Sequence, residues 1–320
     1  MKSKILLIGK TGQIGSELVS SLPELGETVA VDRRELDLSK DDDIRRTISR
    51  VHPSLIINAA AYTAVDQAEK DQEMASRVNG AAPGIMAEEA SRIGAGVIHY
   101  STDYVFDGLK TSPYAESDIA NPLNVYGRTK LAGEVAIRSS GVPHLIFRTA
   151  WVYSTSGKNF LLTILRLATQ RQELSIVLDQ VGAPTWSREI AKATLNILCH
   201  IAKRQNSFDL STYSGTYHMT AAGVTSWYEF ARAILEEASA LKEVPAWFGS
   251  ATAGQPLNHV RVTPISSDQY PTPARRPPYS VLSNFLLKEN FNIEMKDWRT
   301  QLHDAFREDT ALRNGNSNHI

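Results

Sequence analysis

The chain of 320 residues has a single cysteine, Cys199, so it can close no internal disulfide and offers no cysteine cluster to a metal. Set in the apolar run "TLNILCHIA", that thiol reads as a buried structural residue rather than a nucleophile. An excess of charge is missing too: 34 basic residues face 35 acidic ones, which leaves no net field for nucleic acid or an anionic membrane surface. Long apolar runs are also absent. The start, "MKSKILLIGKTG", has four aliphatic residues before Gly9, too few for a signal peptide or a membrane span. The expectation is a cytoplasmic protein with no nucleic-acid and no membrane partner. A repeat of fixed period is not apparent either.

What is present is alternation. Short β-rich runs, "KILLIG", "TVAVD", "SLIINAAA", "GVIHYST" and "PHLIFRT", are separated by helical stretches at 13–25, 42–51, 72–93 and 129–139. Continuous apolar strands alternating with helices predict an α/β fold, a doubly wound, Rossmann-like parallel sheet covered on both faces. After about residue 150 the pattern loosens. Helices at 160–170, 187–201 and 226–241 are joined by polar loops such as "DQVGAPT", "NSFDLSTYSGT" and "SDQYPTPARRPPYS", and the tail "RNGNSNHI" is expected to fray. Residues 1–150 are therefore expected to bind the nucleotide cofactor. Residues 151–320 are expected to form mainly a smaller C-terminal substrate-binding lobe, some of whose elements return to the first domain.

Gly9, Gly12 and Gly15 follow the first strand directly and open a helix, as G-x-x-G-x-x-G. The first permits a tight turn, the second lets a pyrophosphate approach the backbone, and the third packs helix on strand. Three turn glycines with no ligand are the alternative. A nucleoside-triphosphate loop is excluded, because it needs a glycine where Lys4 stands. Asp32 ends the second run, where an acid can accept hydrogen bonds from ribose hydroxyls, and this favours NAD. Arg33 and Arg34 follow and favour a 2′-phosphate, hence NADP; solvated surface charges are the bland reading. NADPH and NADH both stay open.

Ligands of such sheets collect at the carboxyl ends of strands, where "NAAAYT", "STDYVFDG" and "RTAWVY" stand. Ala59, Ala60 and Ala61 are small enough for a cofactor to lie against the backbone. Thr102 and Asp103 bring a hydroxyl and a carboxylate, though each alone suits an ordinary strand end or turn. Among the 11 tyrosines only Tyr126 has a lysine, Lys130, four residues ahead, on the same face of a helix. Reduction of a ketone needs a hydride donor and an acid for the nascent alkoxide. Tyr126 suits the acid. A nearby Lys130 ammonium is expected to lower the phenol's pKa and to hold the nicotinamide ribose, while Thr102 orients the carbonyl.

These motifs, with "DQVGAPT", "YGRTKLAGE", "TYHMTAAGVTSWYEFA" and "ARRPPYSVL", make the chain resemble the extended short-chain dehydrogenase/reductase superfamily. Within it, the resemblance is to the dTDP-4-dehydrorhamnose reductase family and covers nearly the whole chain. It implies reduction by NAD(P)H of the C4 ketone of dTDP-4-dehydro-β-L-rhamnose, the last step of dTDP-L-rhamnose synthesis. By motif position it implies Tyr126 as proton donor, Thr102 as its assistant, and Lys130 as tuner and cofactor ligand. Gly12, Gln13, Ile14, Asp32, Asp37, Leu38, Ala61, Tyr62 and Thr63 fall at the family's cofactor positions. Thr102, Asp103 and Trp151 fall at its positions for the dTDP-sugar substrate. Arg275 and Arg276 are additional candidates for the substrate diphosphate, since arginine forks match phosphate oxygens. Some members of the family dimerise around Mg2+ held by glutamates. Glu17 and Glu308 suit such positions, but Arg188 stands where another glutamate is wanted. No metal is expected for the chemistry, and a homodimer, with or without the ion, stays open. The alternatives are a non-catalytic NADP-binding subunit resembling the methionine adenosyltransferase β subunit, or a related sugar-nucleotide epimerase.

Overall fold

A strand whose every side chain is apolar must be covered on both faces, because successive side chains point to opposite sides. The structure, a computed structural model that describes residues 4–205 and 208–308, obeys this rule. β1 (Lys4–Ile8), β2 (Glu27–Val31), β3 (Leu55–Asn58), β4 (Gly96–Thr102) and β5 (His144–Thr149) are parallel and lie in the order β2-β1-β3-β4-β5. Ile5 and Leu7 of β1 enter one core, Leu6 and Ile8 the other. β2 and β3 lie on opposite sides of β1, so the chain reverses direction across the sheet there. The crevice at the carboxyl ends of β1 and β3 is the topological switch point.

The expected helices appear with shifted ends. α1 (Gln13–Ser21) gives way to a 3-10 turn at Leu22–Glu24, and α2 (Asp41–Val51) begins one residue early. The stretch read as one helix at 72–93 is divided into Gln72–Ser76, a π turn at Arg77–Ala81 and α3 (Ala82–Ile93). Pro83 has no amide hydrogen to return to the carbonyl of residue 79, and the backbone widens before it. α4 (Val125–Ser139) starts four residues before the expected position, because the Asn124 side chain caps it by accepting from the Gly127 amide at 2.8 Å.

Beyond residue 150 come α5 (Phe160–Ala168), α6 (Ser187–Gln205), α7 (Trp227–Ser239) and α8 (Trp298–Phe306). A third core, with Tyr153, Leu161, Trp186, Phe230, Ile234 and Phe306, holds this lobe together. Two of its elements serve the sheet. Ile190, Ile197 and Leu198 of α6 share the core of Ile5 and Leu7, and a sixth parallel strand, β6 (Gly215–His218), pairs with β5. Cys199 on α6 is half-buried rather than fully enclosed. The tail "RNGNSNHI" lies outside the described residues. Among the described residues no helix is long and apolar enough to cross a membrane.

Candidate active site at the strand ends

The turn after β1 is built by exclusion of side chains. Gly9 has φ +93°, and a Cβ there would stand 2.8 Å from the Ala60 amide nitrogen. A Cβ on Gly15 would stand 2.0 Å from the Gly9 carbonyl oxygen, so this glycine is what lets α1 close on the strand. Gly12 precedes α1 in extended conformation, which leaves the first helical amides, from Gln13, Ile14 and Gly15, facing the crevice without helical partners. Gln13 donates to the Val152 carbonyl at 3.4 Å, and its own Oε1 is buried with no hydrogen-bond partner.

Next to this turn is a cleft of about 150 Å³ lined by Gly9, Asp32, Arg33, Asp37, Leu38, Ala61 and Tyr62. Asp32 is tied into its own turn, accepting from the Arg34 amide at 2.8 Å. Asp37 accepts from Ser39 and is held below the usual carboxylate range by that hydroxyl and amide. Thr63 is exposed and is not part of this lining. Two partners escaped the sequence reading. Lys10 reaches from the glycine turn to pair with Glu35, which also accepts from the Asp32 amide. Asn79, on the π turn, clamps Tyr62 by accepting from its amide at 2.8 Å and donating to its carbonyl at 3.1 Å. The signal that could have found Asn79 is the misfit between Pro83 and a continuous helix.

At the end of β4, Thr102 is buried and donates to Asp103 Oδ1 at 3.0 Å. Asp103 is 2% exposed, and its Oδ2 has no hydrogen-bond partner of ordinary geometry. Burial pushes its carboxyl up to about 6, against the pull of the Ser280 and Thr102 hydroxyls. Tyr126, at the second position of α4, packs edge-on to Tyr104 with ring centroids 5.5 Å apart. Burial raises its phenol to about 12, opposed by the Thr102 hydroxyl and reinforced by Asp103.

Lys130 corrects an expectation. It is not among the groups acting on the Tyr126 phenol, which is pushed up rather than down. The spacing of four puts both residues on one face of α4, but the long side chain folds inward and is 1% exposed. Its Nζ donates to the Tyr100 carbonyl at 2.7 Å and meets His99 Nε2 at 3.1 Å. Burial lowers its pKa to about 8, while Glu134 pulls the other way.

Trp151 has φ +47°, a strained conformation for a bulky residue. It lies face to face with Trp227, centroids 3.6 Å apart and planes 5° off parallel. On the other side it crowds Gly182, where a Cβ would stand 2.5 Å from the indole. Trp227 was quoted in a motif but not singled out, and nothing in its spacing connects it with Trp151. The two arginines of "ARRPPYS" differ. Arg276 does not stand free for a phosphate: its fork grips Asp66 at 2.8 and 3.2 Å. Arg275 is exposed, and its carbonyl accepts from Asn124 at 2.8 Å, which docks this segment on the start of α4.

Glu17, Arg188 and Glu308 do come together, as an ion-pair triad. Arg188 Nε is 3.3 Å from Glu17, and the same guanidinium pairs with Glu308. An arginine thus supplies the positive charge between the carboxylates, and the set does not fit a magnesium ion. Among the described residues no group of three His, Cys, Asp or Glu is placed to hold a metal.

Comparison with known proteins adds an independent line. Residues 3–311 match the family described as the RmlD substrate binding domain. The chain is 50% identical over 296 residues to the dTDP-4-dehydrorhamnose reductase of Burkholderia thailandensis, covering 92% of this chain and 95% of that one. It is 41% identical to the enzyme of the same name from Escherichia coli K12, over 92% and 94% of the two chains. A crystal structure of dTDP-4-dehydrorhamnose reductase from Bacillus anthracis in complex with NADP is similar with a TM-score of 0.84. Identity is 32%, and 96% and 99% of the two chains are covered.

Proposed function

We start from the premise that the chain belongs to the RmlD substrate binding domain family, and we propose that it is a dTDP-4-dehydrorhamnose reductase. It reduces the C4 ketone of dTDP-4-dehydro-β-L-rhamnose to the alcohol of dTDP-β-L-rhamnose at the expense of NADPH or NADH, the closing step of dTDP-L-rhamnose biosynthesis. The observation that carries this reading is the meeting of Thr102, Asp103 and Tyr126 at the end of β4, with only β3 between that strand and the one that leads into the glycine turn.

The residues after β1 fit a dinucleotide. Free amides at the start of α1, a buried Gln13 Oε1 without a partner and a turn that admits no Cβ suit a pyrophosphate and its ribose. Asp32, Arg33, Asp37, Leu38, Ala61, Tyr62 and Thr63 would hold the adenosine end, and Lys130 the nicotinamide ribose once it leaves its buried partners. The nicotinamide, when bound, supplies the hydride.

Tyr126 gives its hydroxyl proton to the C4 oxygen as charge develops there, its phenol being protonated at neutral pH. Thr102 hydrogen-bonds the same oxygen and fixes its direction, while Asp103 holds Thr102 and reaches the sugar with its bare oxygen. Trp151, braced by Trp227, gives the deoxysugar a flat apolar wall. Arg275 is the arginine offered to the diphosphate, and Arg276 holds its segment against Asp66. Residues 1–150 form the cofactor domain and 151–320 mainly the sugar-nucleotide lobe. On this reading the reaction is cytoplasmic and needs no metal.

The test is oxidation of NADPH and of NADH by the purified chain with dTDP-4-dehydro-β-L-rhamnose. Turnover that requires this keto sugar supports the reading. No net oxidation, with the sugar isomerised or untouched, overturns it.

A further inference from the structure

A second polar system lies behind the catalytic face, and its directions can be worked out from one fixed donor. The Ala60 backbone N–H donates to Asn58 Oδ1 at 3.1 Å, which settles the amide orientation of Asn58 and leaves Nδ2 as its donor end. That donor faces His99 Nδ1 at 3.1 Å, so Nδ1 must accept and carries no hydrogen. The neutral ring then has its hydrogen on Nε2, aimed at Lys130 Nζ at 3.1 Å. A charged ammonium there would set donor against donor. An amine accepts from Nε2–H with its lone pair and still donates to the Tyr100 carbonyl at 2.7 Å.

We infer that His99 is a positioning residue that stores Lys130 as a neutral amine, through a one-way chain of hydrogen bonds running from the Ala60 amide to the Tyr100 carbonyl. The chain begins at the backbone on which Gly9 packs, so the dinucleotide turn and Lys130 are linked through β3 and β4. Its three side chains, Asn58, His99 and Lys130, are all buried, and its two ends are backbone groups. The charged groups that bear on Lys130 point the same way or are spoken for. Burial lowers its pKa to about 8, and the imidazole is neutral, being held well below its usual range by burial. Glu134, one turn along α4, favours the ammonium, but its oxygens are taken by Arg148, Arg138 and Ser101. The donor at His99 Nε2 acts in addition to burial, so Lys130 should titrate well below the ordinary lysine value.

The inference deepens the reductase reading, because it matters to catalysis only if Lys130 serves the cofactor. Its test is separate from that reading: NMR of the full chain, without dinucleotide or sugar, labelled with 15N in histidine and lysine. The expected result is a hydrogen on Nε2 and none on Nδ1 of His99, with Lys130 losing its charge well below the ordinary lysine value of about 10.4. A hydrogen on Nδ1, or a Lys130 midpoint near the ordinary lysine value of about 10.4, overturns it. Asn58→Asp nearly preserves shape but replaces the donor by an acceptor. It should move the His99 hydrogen to Nδ1 and raise the Lys130 midpoint by about one pH unit or more. An unmoved hydrogen in that variant also overturns the inference. A failed keto-sugar assay would leave both spectra unchanged and count only against the activity.

Discussion

Two carboxylates are buried beside β4 and meet opposite fates. Glu134 is 0% exposed and accepts from Arg148 at 3.0 and 2.7 Å, from Arg138 at 3.1 Å and from Ser101 at 2.5 Å. Burial alone would raise its pKa, but Arg148 and these other partners hold it below the usual range. Asp103 is also enclosed, meets hydroxyls instead of a guanidinium, keeps one oxygen without a hydrogen bond of ordinary geometry and rises to about 6. Burial is common to both; partners differ. A buried acid with every lone pair occupied is scaffold, and one with an empty side is available to a ligand.

The sharpest way to break the comparison is to treat both acids alike. Glu134→Gln leaves Arg148 buried against a neutral amide and should cost about 3–5 kcal/mol in denaturant unfolding. A loss no larger than a surface substitution gives would end the distinction.

Asp103→Asn should act through pH, with a sign opposite to that of Glu134. The folded Asp103 binds its proton more tightly than the unfolded chain does. Stability therefore falls as pH rises from 3.8 to about 6, by about 3 kcal/mol in all, and the deficit persists at neutral pH. Unfolding measured from pH 4 to 7 should show wild type losing that amount relative to the asparagine variant; parallel curves would contradict it. Glu134, being lowered, contributes stability that is present above its unfolded value of 4.5 and lost as acid titrates the fold.

Trp227→Ala extends the test to the lobe's aromatic pair. Stacking of this kind is worth about 0.5–1.5 kcal/mol, so KM for the sugar nucleotide should rise about three- to tenfold while cofactor KM holds. An equal rise in both would make Trp227 mere scaffold. The smallest effect is expected from a chelator. Glu17 and Glu308 resemble Glu134 in being neutralised by a guanidinium, so metal removal should leave Tm and turnover unchanged.

Much of the sheet was legible because β1 to β5 each carry a short run of aliphatic or aromatic residues at the right intervals. β6 was not. "GTYH" has neither an apolar run nor clean alternation, and its pairing with β5 is decided by the core that Tyr217 enters. The start of α4 was misjudged because an asparagine cap ahead of a tyrosine and a glycine looks like a turn. In the site, positions were easier to read than orientations. A spacing of four says that Tyr126 and Lys130 share a face; it says nothing about a four-carbon stem turning inward to His99. The departure at Arg188 was visible in sequence, and the triad it forms explains it. Trp227 is brought to the site by tertiary packing alone, whereas Asn79 is turned there by the π turn ahead of Pro83.

Turnover of the keto sugar by Tyr126→Phe, measured beside thermal unfolding and dinucleotide affinity of the same variant, tests the central claim most directly. With Tyr126 as the proton donor at the available end of β4, turnover should fall about 10²- to 10⁴-fold while Tm and dinucleotide affinity stay near wild type. Wild-type turnover in that variant would contradict the assignment.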